Sequence, residues 1–541
     1  MSLRTRLVLP VIVCTLGVLV GCGGNSTPPV TPPPSGGFSN SNFNGTYTFS
    51  ITGANGDGIF SMAGSLVACG CSQGTISSGT VDFNDPTIAT GAVALASNSS
   101  YSVSADGRGS ARLLLPSPVN EIDVDFVLIS SSHGLITRFD QNGTGSGTID
   151  LQPTALSQSD LTGTPYAFMI SGADNSNNSL GTVGAMTLDS SGNITAGIED
   201  FNYGGTPTTK LALTGSVIVG SGTTPGTATV HTAFGSGTFT FDVYAIDADH
   251  LKLIENDGKA VLVGDLLSQP STSFPSGSLI FTMSGLDNTS GLGGLGDLFV
   301  TGGLMVSDGT GLITTGSEDV NDAGFVDNGT TTPFSFGGAF TSSGGGRYEM
   351  DLSNYVGGST FAAYPSSGGV LMLEMDTTNP GVTGGIAAIQ QSGATVAANQ
   401  GYGLNMSGED LVNGVEFDDI AEFKTTTSAI EDGVIDDNDF GNLTTGNFVG
   451  TYSLGSNGFG SAILSQGPFG SMFFYSVDDS LSLCISTDGN SAALGSFEIQ
   501  TTPTNDAHLS VGRAHNLPMA HVLPRTKRTS KANRSTLRKV N

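Results

Sequence analysis

Tryptophan is absent from the 541 residues, and histidine (6) and cysteine (5) are scarce. Charged side chains make up only 12%, and beyond the N-terminus no stretch sustains a 3.6-residue apolar period. Each shortage excludes something. With 79 glycines and no helical periodicity, a fold of long packed helices is excluded. So few histidines and cysteines leave little material for four-ligand zinc sites. The missing tryptophan removes a common platform for sugars. Basic residues number 18 against 47 acidic ones, which speaks against nucleic acid as a partner.

The charge is also unevenly placed. Arg4 and Arg6 sit at the start and eight more basic residues follow position 510, so residues 25–504 hold 8 basic against 46 acidic side chains, a net of −38. A body of that sign repels nucleic acid and anionic lipid alike.

What the chain does have is a pattern, Ile-x-x-Gly-x-x-Asp-x-Asn, occurring four times. It reads Ile76, Gly79, Asp82, Asn84, then Ile194, Gly197, Asp200, Asn202, then Ile313, Gly316, Asp319, Asn321, and finally Ile430, Gly433, Asp436, Asn438. From Asp to Asp the steps are 118, 119 and 117 residues, which means four copies of one domain.

Each copy opens with an alternating strand that ends in Ser/Thr-Gly: Tyr47, Phe49 and Ile51, for example, precede Gly53. Period-two alternation predicts one face in a core and the other in water. The first copy shows about eight such strands, near 46–52, 60–68, 74–83, 100–104, 109–115, 122–129, 134–139 and 147–151. Short connections favour an antiparallel meander, and eight strands can close into an up-and-down β-barrel filled by its own side chains. The expected fold is therefore all-β, four tandem repeats of one eight-stranded antiparallel barrel, with a β-sandwich as the alternative. The third copy is longer between its strand-ending Gly285 and Ile313, which places an insertion at 291–296.

Arg4 and Arg6 precede a short apolar run, Leu7 to Val20, of the kind that directs export. Its ending, Leu19-Val20-Gly21-Cys22, resembles the lipobox of bacterial lipoproteins. The resemblance implies cleavage before Cys22, lipidation of that thiol and, with no Asp after the Cys, placement at the outer membrane. A proline-rich stretch, 26–37, then serves as a semi-rigid tether. The expected organisation is a signal peptide (1–21), lipidated Cys and tether (22–42), repeats at 43–153, 162–270, 276–392 and 400–503, and a basic, disordered tail (504–541).

The residue types of the pattern suit a structural role: an inward Ile, a Gly allowing a bulge or close approach, and Asp and Asn closing the turn after the third strand. The turn set is Gly79, Asp82, Asn84, Gly197, Asp200, Asn202, Gly316, Asp319, Asn321, Gly433, Asp436 and Asn438. A competing cation reading is densest at Asp436, Asp437 and Asp439, where no calcium-loop spacing accompanies it.

Other chemistry is thin. Cys69 and Cys71 read as a thiol pair in a turn without a structural job, and Cys484 as core. Gly70-Cys71-Ser72-Gln73-Gly74 matches the nucleophile elbow of α/β hydrolases, but strand patterns flank it on both sides. His133 and His250 fall where turns lead into strands and read as turn residues. No catalytic group, metal or cofactor is expected, and no nucleic acid. The chain resembles repeat-bearing bacterial surface lipoproteins. Its expected role is structural, spacer or adhesive, held to a membrane by the lipid and open to an envelope or surface ligand. Ligand binding inside lipocalin-like barrels is the alternative, and a secreted hydrolase a more distant one.

Overall fold

A computed structural model of the chain describes residues 37–153, 156–232, 237–287, 298–326, 333–378, 381–465 and 470–501. The signal and lipidation readings, the insertion at 291–296 and the basic tail lie outside the described residues. Four antiparallel sheets follow one another, each a meander in which the first strand pairs with both the second and the last. The opening strands are Asn44–Asn55, Pro165–Asp174, Ser276–Leu286 and Gly401–Asp410. The last strands are Gly143–Leu151, Ala260–Ser268, Val382–Ile389 and Ser491–Ile499.

Barrels 3 and 4 close completely with eight strands around each core. In barrels 1 and 2 the third strand meets the middle of the meander through a single bridge, Thr75 with Ser100 and Asn193 with Ser216. Backbone bonds such as Leu95 N–H to the Gly79 carbonyl (2.9 Å) and Val217 N–H to the Gly192 carbonyl (2.8 Å) complete the circuit. The barrel form therefore holds, and the sandwich does not.

Alternation supplies the interiors. Phe49, Ile51, Met62, Val124 and Phe126 fill barrel 1, and equivalent residues fill the other three. The segment entering each barrel contributes a plug at one end: Phe43 against Tyr47 (ring centroids 4.1 Å apart), Leu161, Phe274 against Phe340 (4.1 Å), and Val396.

One expectation is overturned here. The polar alternates of the opening strand do not face water: Thr48 is 0% and Ser50 4% exposed. Both faces of that strand are buried because the outside of each barrel packs against the next one. Small apolar clusters sit between barrels, such as Ala63 with Tyr244, Ile254 and Val263, and Val127, Ile129 and Leu135 with Ile420.

Candidate functional site

The recurring Asp and Asn lie in the third strands, Ile76–Asn84, Ile194–Tyr203, Leu312–Asp322 and Ala429–Asp439, with side chains turned out of their own barrel. Asn84 Nδ2 donates to the carbonyls of Glu255 and Ala260 in barrel 2, both at 2.9 Å. Asn202 reaches Glu374 and Gly381 in barrel 3 (2.7 and 2.8 Å), and Asn321 reaches Ser486 and Ser491 in barrel 4 (both 2.8 Å). Asn438 then reaches Arg138 and Gly143, back in barrel 1 (2.8 and 2.9 Å). Every acceptor flanks the hairpin joining the last two strands of the barrel addressed. One head-to-tail contact is used four times, and the fourth use returns to the first barrel. The four barrels form a closed ring.

The turn reading is therefore corrected. Asp and Asn are strand residues that clasp the neighbouring barrel, and only part of the turn role survives. Asn321 Oδ1 accepts the Gly324 N–H (2.9 Å), and Asn438 Oδ1 accepts the Gly441 N–H (2.7 Å). The glycines lie where another atom crowds in. A Cβ on Gly316 would stand 2.3 Å from the Phe336 ring, and one on Gly433 2.6 Å from the Phe448 ring. At Gly79 it would meet Leu95 at 2.6 Å, and at Gly197 the Leu213 carbonyl at 2.5 Å.

Each Asp meets a partner from the next barrel. Tyr244 donates to Asp82, Tyr364 to Asp200 and Tyr475 to Asp319. Burial and the nearby Asp242 carboxyl push Asp82 up to about 8. Asp200 also accepts two hydrogen bonds from Arg347, at 2.7 and 2.8 Å. Barrel 1 has Val127 in place of the tyrosine, since Val127 pairs with Leu135 as Tyr364 pairs with Leu371. There Asp436 takes the Thr445 hydroxyl (2.7 Å) and lies 3.5 Å from Arg108.

Strand alternation also dissolves the proposed cation trio. Asp436 faces barrel 1, whereas Asp437 lies on the opposite face, opposite Asp419 in register, and Asp439 two residues on shares that face. Asp419 is 0% exposed, and burial, then Asp437, raises its pKa well above the carboxylate range. Among the described residues no three His, Cys, Asp or Glu side chains are placed to hold a metal ion.

The histidines are likewise seam residues and not turns. His133 opens a strand, with Nδ1 2.7 Å from Asp150 and Nε2 3.4 Å from Glu498 of barrel 4. Burial opposes its charge, but Glu498 and Asp150 outweigh that and push it up to about 10. His250 opens the matching strand of barrel 2, 2.6 Å from Asp265. Beside it Lys252 Nζ donates to Thr148 of barrel 1 at 3.0 Å.

Cys69 and Cys71 are joined in a disulfide, against expectation. Gly70 adopts φ +61°, which folds the chain back and brings the flanking Cα atoms to 5.1 Å, within disulfide range. Ser72 is exposed in the bend that follows, between two strands, so the elbow match lacks its strand-to-helix turn.

The interior of barrel 2 is not a plain core. Barrel 2 encloses about 30 Å³ of space lined by Phe168, Phe201, Phe241, Leu253, Thr232 and Glu199. Glu199 is 3% exposed, takes a hydrogen bond from Thr232, and is pushed by burial up to about 8. It is a neutral acid in an apolar chamber at neutral pH. From the sequence, Glu199 counts only among the acids around the pattern that a cation site could use, and nothing there turns it into the barrel.

No family model matches the chain, and no curated protein matches it. Among solved structures, a protein of unknown function of the DUF3598 family from Nostoc punctiforme is 14% identical, with TM-score 0.14, over 43% of this chain and 98% of that one. A transferrin-binding protein B mutant from Haemophilus parasuis is 10% identical, with TM-score 0.15, over 70% of this chain and 86% of that one. Similarity at this level says nothing about function.

Proposed function

We propose that the chain is a lipid-anchored cell-envelope protein whose four barrels act as one structural or adhesive body, a spacer held off the membrane by its tether. The observation that carries this reading is where the recurring residues go. The Asp and Asn shared by all four repeats are directed at neighbouring barrels, so what the repeats have in common serves assembly. Four equivalent binding modules would instead keep their shared polar residues inside the barrels. The Leu19-Val20-Gly21-Cys22 ending supports the anchor.

Small-ligand binding has the barrel 2 chamber in its favour. At about 30 Å³ it has room for a water or two, whereas ligand pockets run to several hundred. Two measurements test the proposal. Cys22→Ser is expected to move the protein from the membrane to the soluble fraction. Native mass spectrometry of the whole protein is expected to return the mass of the polypeptide with its lipid and nothing more. A retained small molecule that Glu199→Gln releases would replace the spacer reading with a binder.

A further inference from the structure

We infer that the Cys69–Cys71 disulfide of barrel 1 is a thiol–disulfide exchange site, an oxidant for accessible pairs of thiols. The inference goes beyond the assembly role proposed above and does not depend on the lipid anchor.

The bend between the second and third strands recurs in barrels 1, 2 and 3, and in two of them it holds an anion. Ala68, Leu188 and Ser307 lie opposite the pattern isoleucines Ile76, Ile194 and Ile313, so the residues that follow them, Cys69, Asp189 and Asp308, are equivalent. Asp189 Oδ1 accepts the N–H groups of Ser191 (2.8 Å) and Asn193 (2.9 Å). Asp308 Oδ1 accepts those of Thr310 (2.7 Å), Gly311 and Leu312 (both 2.9 Å). Asn193, through its side chain and its N–H, and then Ser191 hold the Asp189 carboxyl below its ordinary range. The Leu312 and Thr310 N–H groups hold Asp308 down at about 2. In barrel 1 the acceptor at this position is sulfur: Cys69 Sγ takes the N–H groups of Cys71 (3.1 Å) and Thr75 (3.2 Å). A thiolate released at Cys69 therefore meets the same kind of donors that stabilise negative charge in its two counterparts.

The bridge is spare as a structural element. Barrels 2 and 3 form the bend without one. In barrel 1 the Cys69 N–H donates to the Thr75 carbonyl (3.1 Å) and the Gly74 N–H to the Cys71 carbonyl (2.9 Å). The Tyr101 hydroxyl accepts the Gly70 N–H and donates to the Phe43 carbonyl, both at 2.9 Å. None of these bonds passes through the sulfurs. With one residue between its ends, the bridge also constrains the unfolded chain little. The two sulfurs are not equivalent. Cys69 ends the second strand and packs against the barrel 1 core, whereas Cys71 lies in the bend, partly exposed beside the exposed Ser72 and Gln73.

An incoming thiolate attacks Cys71 Sγ, the bond between the two sulfurs breaks, and its electron pair leaves on Cys69. The second substrate thiol, deprotonated by solvent, attacks the substrate sulfur of the mixed disulfide and expels Cys71, which takes a proton from water. The substrate dithiol becomes a disulfide and the protein pair becomes two thiols, with no other electron carrier involved. A further round requires a low-molecular-weight disulfide to reoxidise the pair. Because Cys71 stands at an exposed bend, the substrates it fits are flexible thiol pairs, on a polypeptide or as two small thiols.

The test incubates the whole protein with millimolar reduced glutathione near neutral pH, quenches with acid, alkylates, and reads the peptide holding residues 69 and 71 by mass spectrometry. At least half of the pair is expected to be reduced or joined to glutathione, with the melting temperature unchanged. A reduced peptide carrying two cysteines is expected to be oxidised one for one, and the double variant Cys69→Ser/Cys71→Ser to oxidise none. Exchange with glutathione alone would assign the site to small thiols, and exchange with both would extend it to polypeptides. The single variants separate the two sulfurs. Treated with oxidised glutathione, Cys69→Ser is expected to capture it on Cys71 roughly tenfold faster than Cys71→Ser captures it on Cys69, which the core backs. A pair that stays oxidised, a reduced pair whose protein melts lower, or capture at Cys69 that is equally fast or faster would overturn the inference.

Discussion

The seam between barrels 2 and 3 and the seam between barrels 4 and 1 use the same backbone geometry and balance charge in opposite ways. At the first, Asp200 is 0% exposed and fully answered, by two hydrogen bonds from Arg347, one from Tyr364 and one from the Lys210 N–H. At the second, Arg108 occupies the matching position, since Gly109 pairs with Phe126 as Tyr348 pairs with Ala363. Arg108 divides itself between Asp106 (3.2 Å) and Asp436 (3.5 Å), and Val127 offers no hydroxyl. Around it stand further acids: Glu422, with neither oxygen hydrogen-bonded, and the half-buried Asp125. Burial first, then neighbouring acids, pushes Glu422 up to about 9 and Asp125 up to about 8. One joint is held by a matched ion pair. The joint that closes the ring also carries carboxyls that burial pushes toward their protonated form.

Removing the arginines should separate the two seams most sharply. Arg347→Ala leaves Asp200 buried with only Tyr364 and the Lys210 N–H to answer it and is expected to destabilise by about 3–5 kcal/mol. Arg108→Ala removes a partly exposed, shared cation and should cost about 1 kcal/mol. Denaturant midpoints of the whole protein compare them, and equal losses would erase the distinction.

The asparagine clasps should respond alike at every seam, because their geometry does. Asn321→Ala and Asn438→Ala each strip the side-chain donor from two buried carbonyls, for an expected 1–3 kcal/mol, roughly the penalty of leaving such groups unsatisfied. A near-neutral Asn438→Ala would mean that the ring is open at that joint.

The smallest effect concerns pH. A carboxyl whose folded pKa is raised binds its proton more tightly when folded. The stability it contributes is fully present below its unfolded pKa near 4 and is lost as pH rises through the folded value, here about 8–9. The melting temperature should therefore fall between about pH 5 and 9, and Glu422→Gln should flatten part of that fall, by about 1 kcal/mol. An unchanged slope in the glutamine variant would place the titration elsewhere.

The repeat period and the strands were legible because they are local. Fixed spacing and period-two alternation survive in any copy read alone, and the eight strands of barrel 1 stand where alternation placed them. The destination of Asp82 and Asn84 was not legible, because turns and seams ask for the same short polar side chains. Their partners, Tyr244 and Glu255, lie 162 and 171 residues away. Thr48 and Ser50 misled for a related reason: a polar alternate reads as solvent-facing unless a second barrel covers it. A signal did exist in Tyr244, Tyr364 and Tyr475, which recur at the same strand position in three repeats. It becomes readable only after the register is known.

The ring also fixes a number. Each barrel has one clasping face and one accepting face, and four successive turns bring the last clasp back to the first acceptor. A chain with three or five such repeats would leave one face of each kind unmatched, ready to join another molecule end to end. Repeat count is thus a discrete property of this architecture, because a step that closes at four copies leaves no clasping or accepting face free on the finished ring.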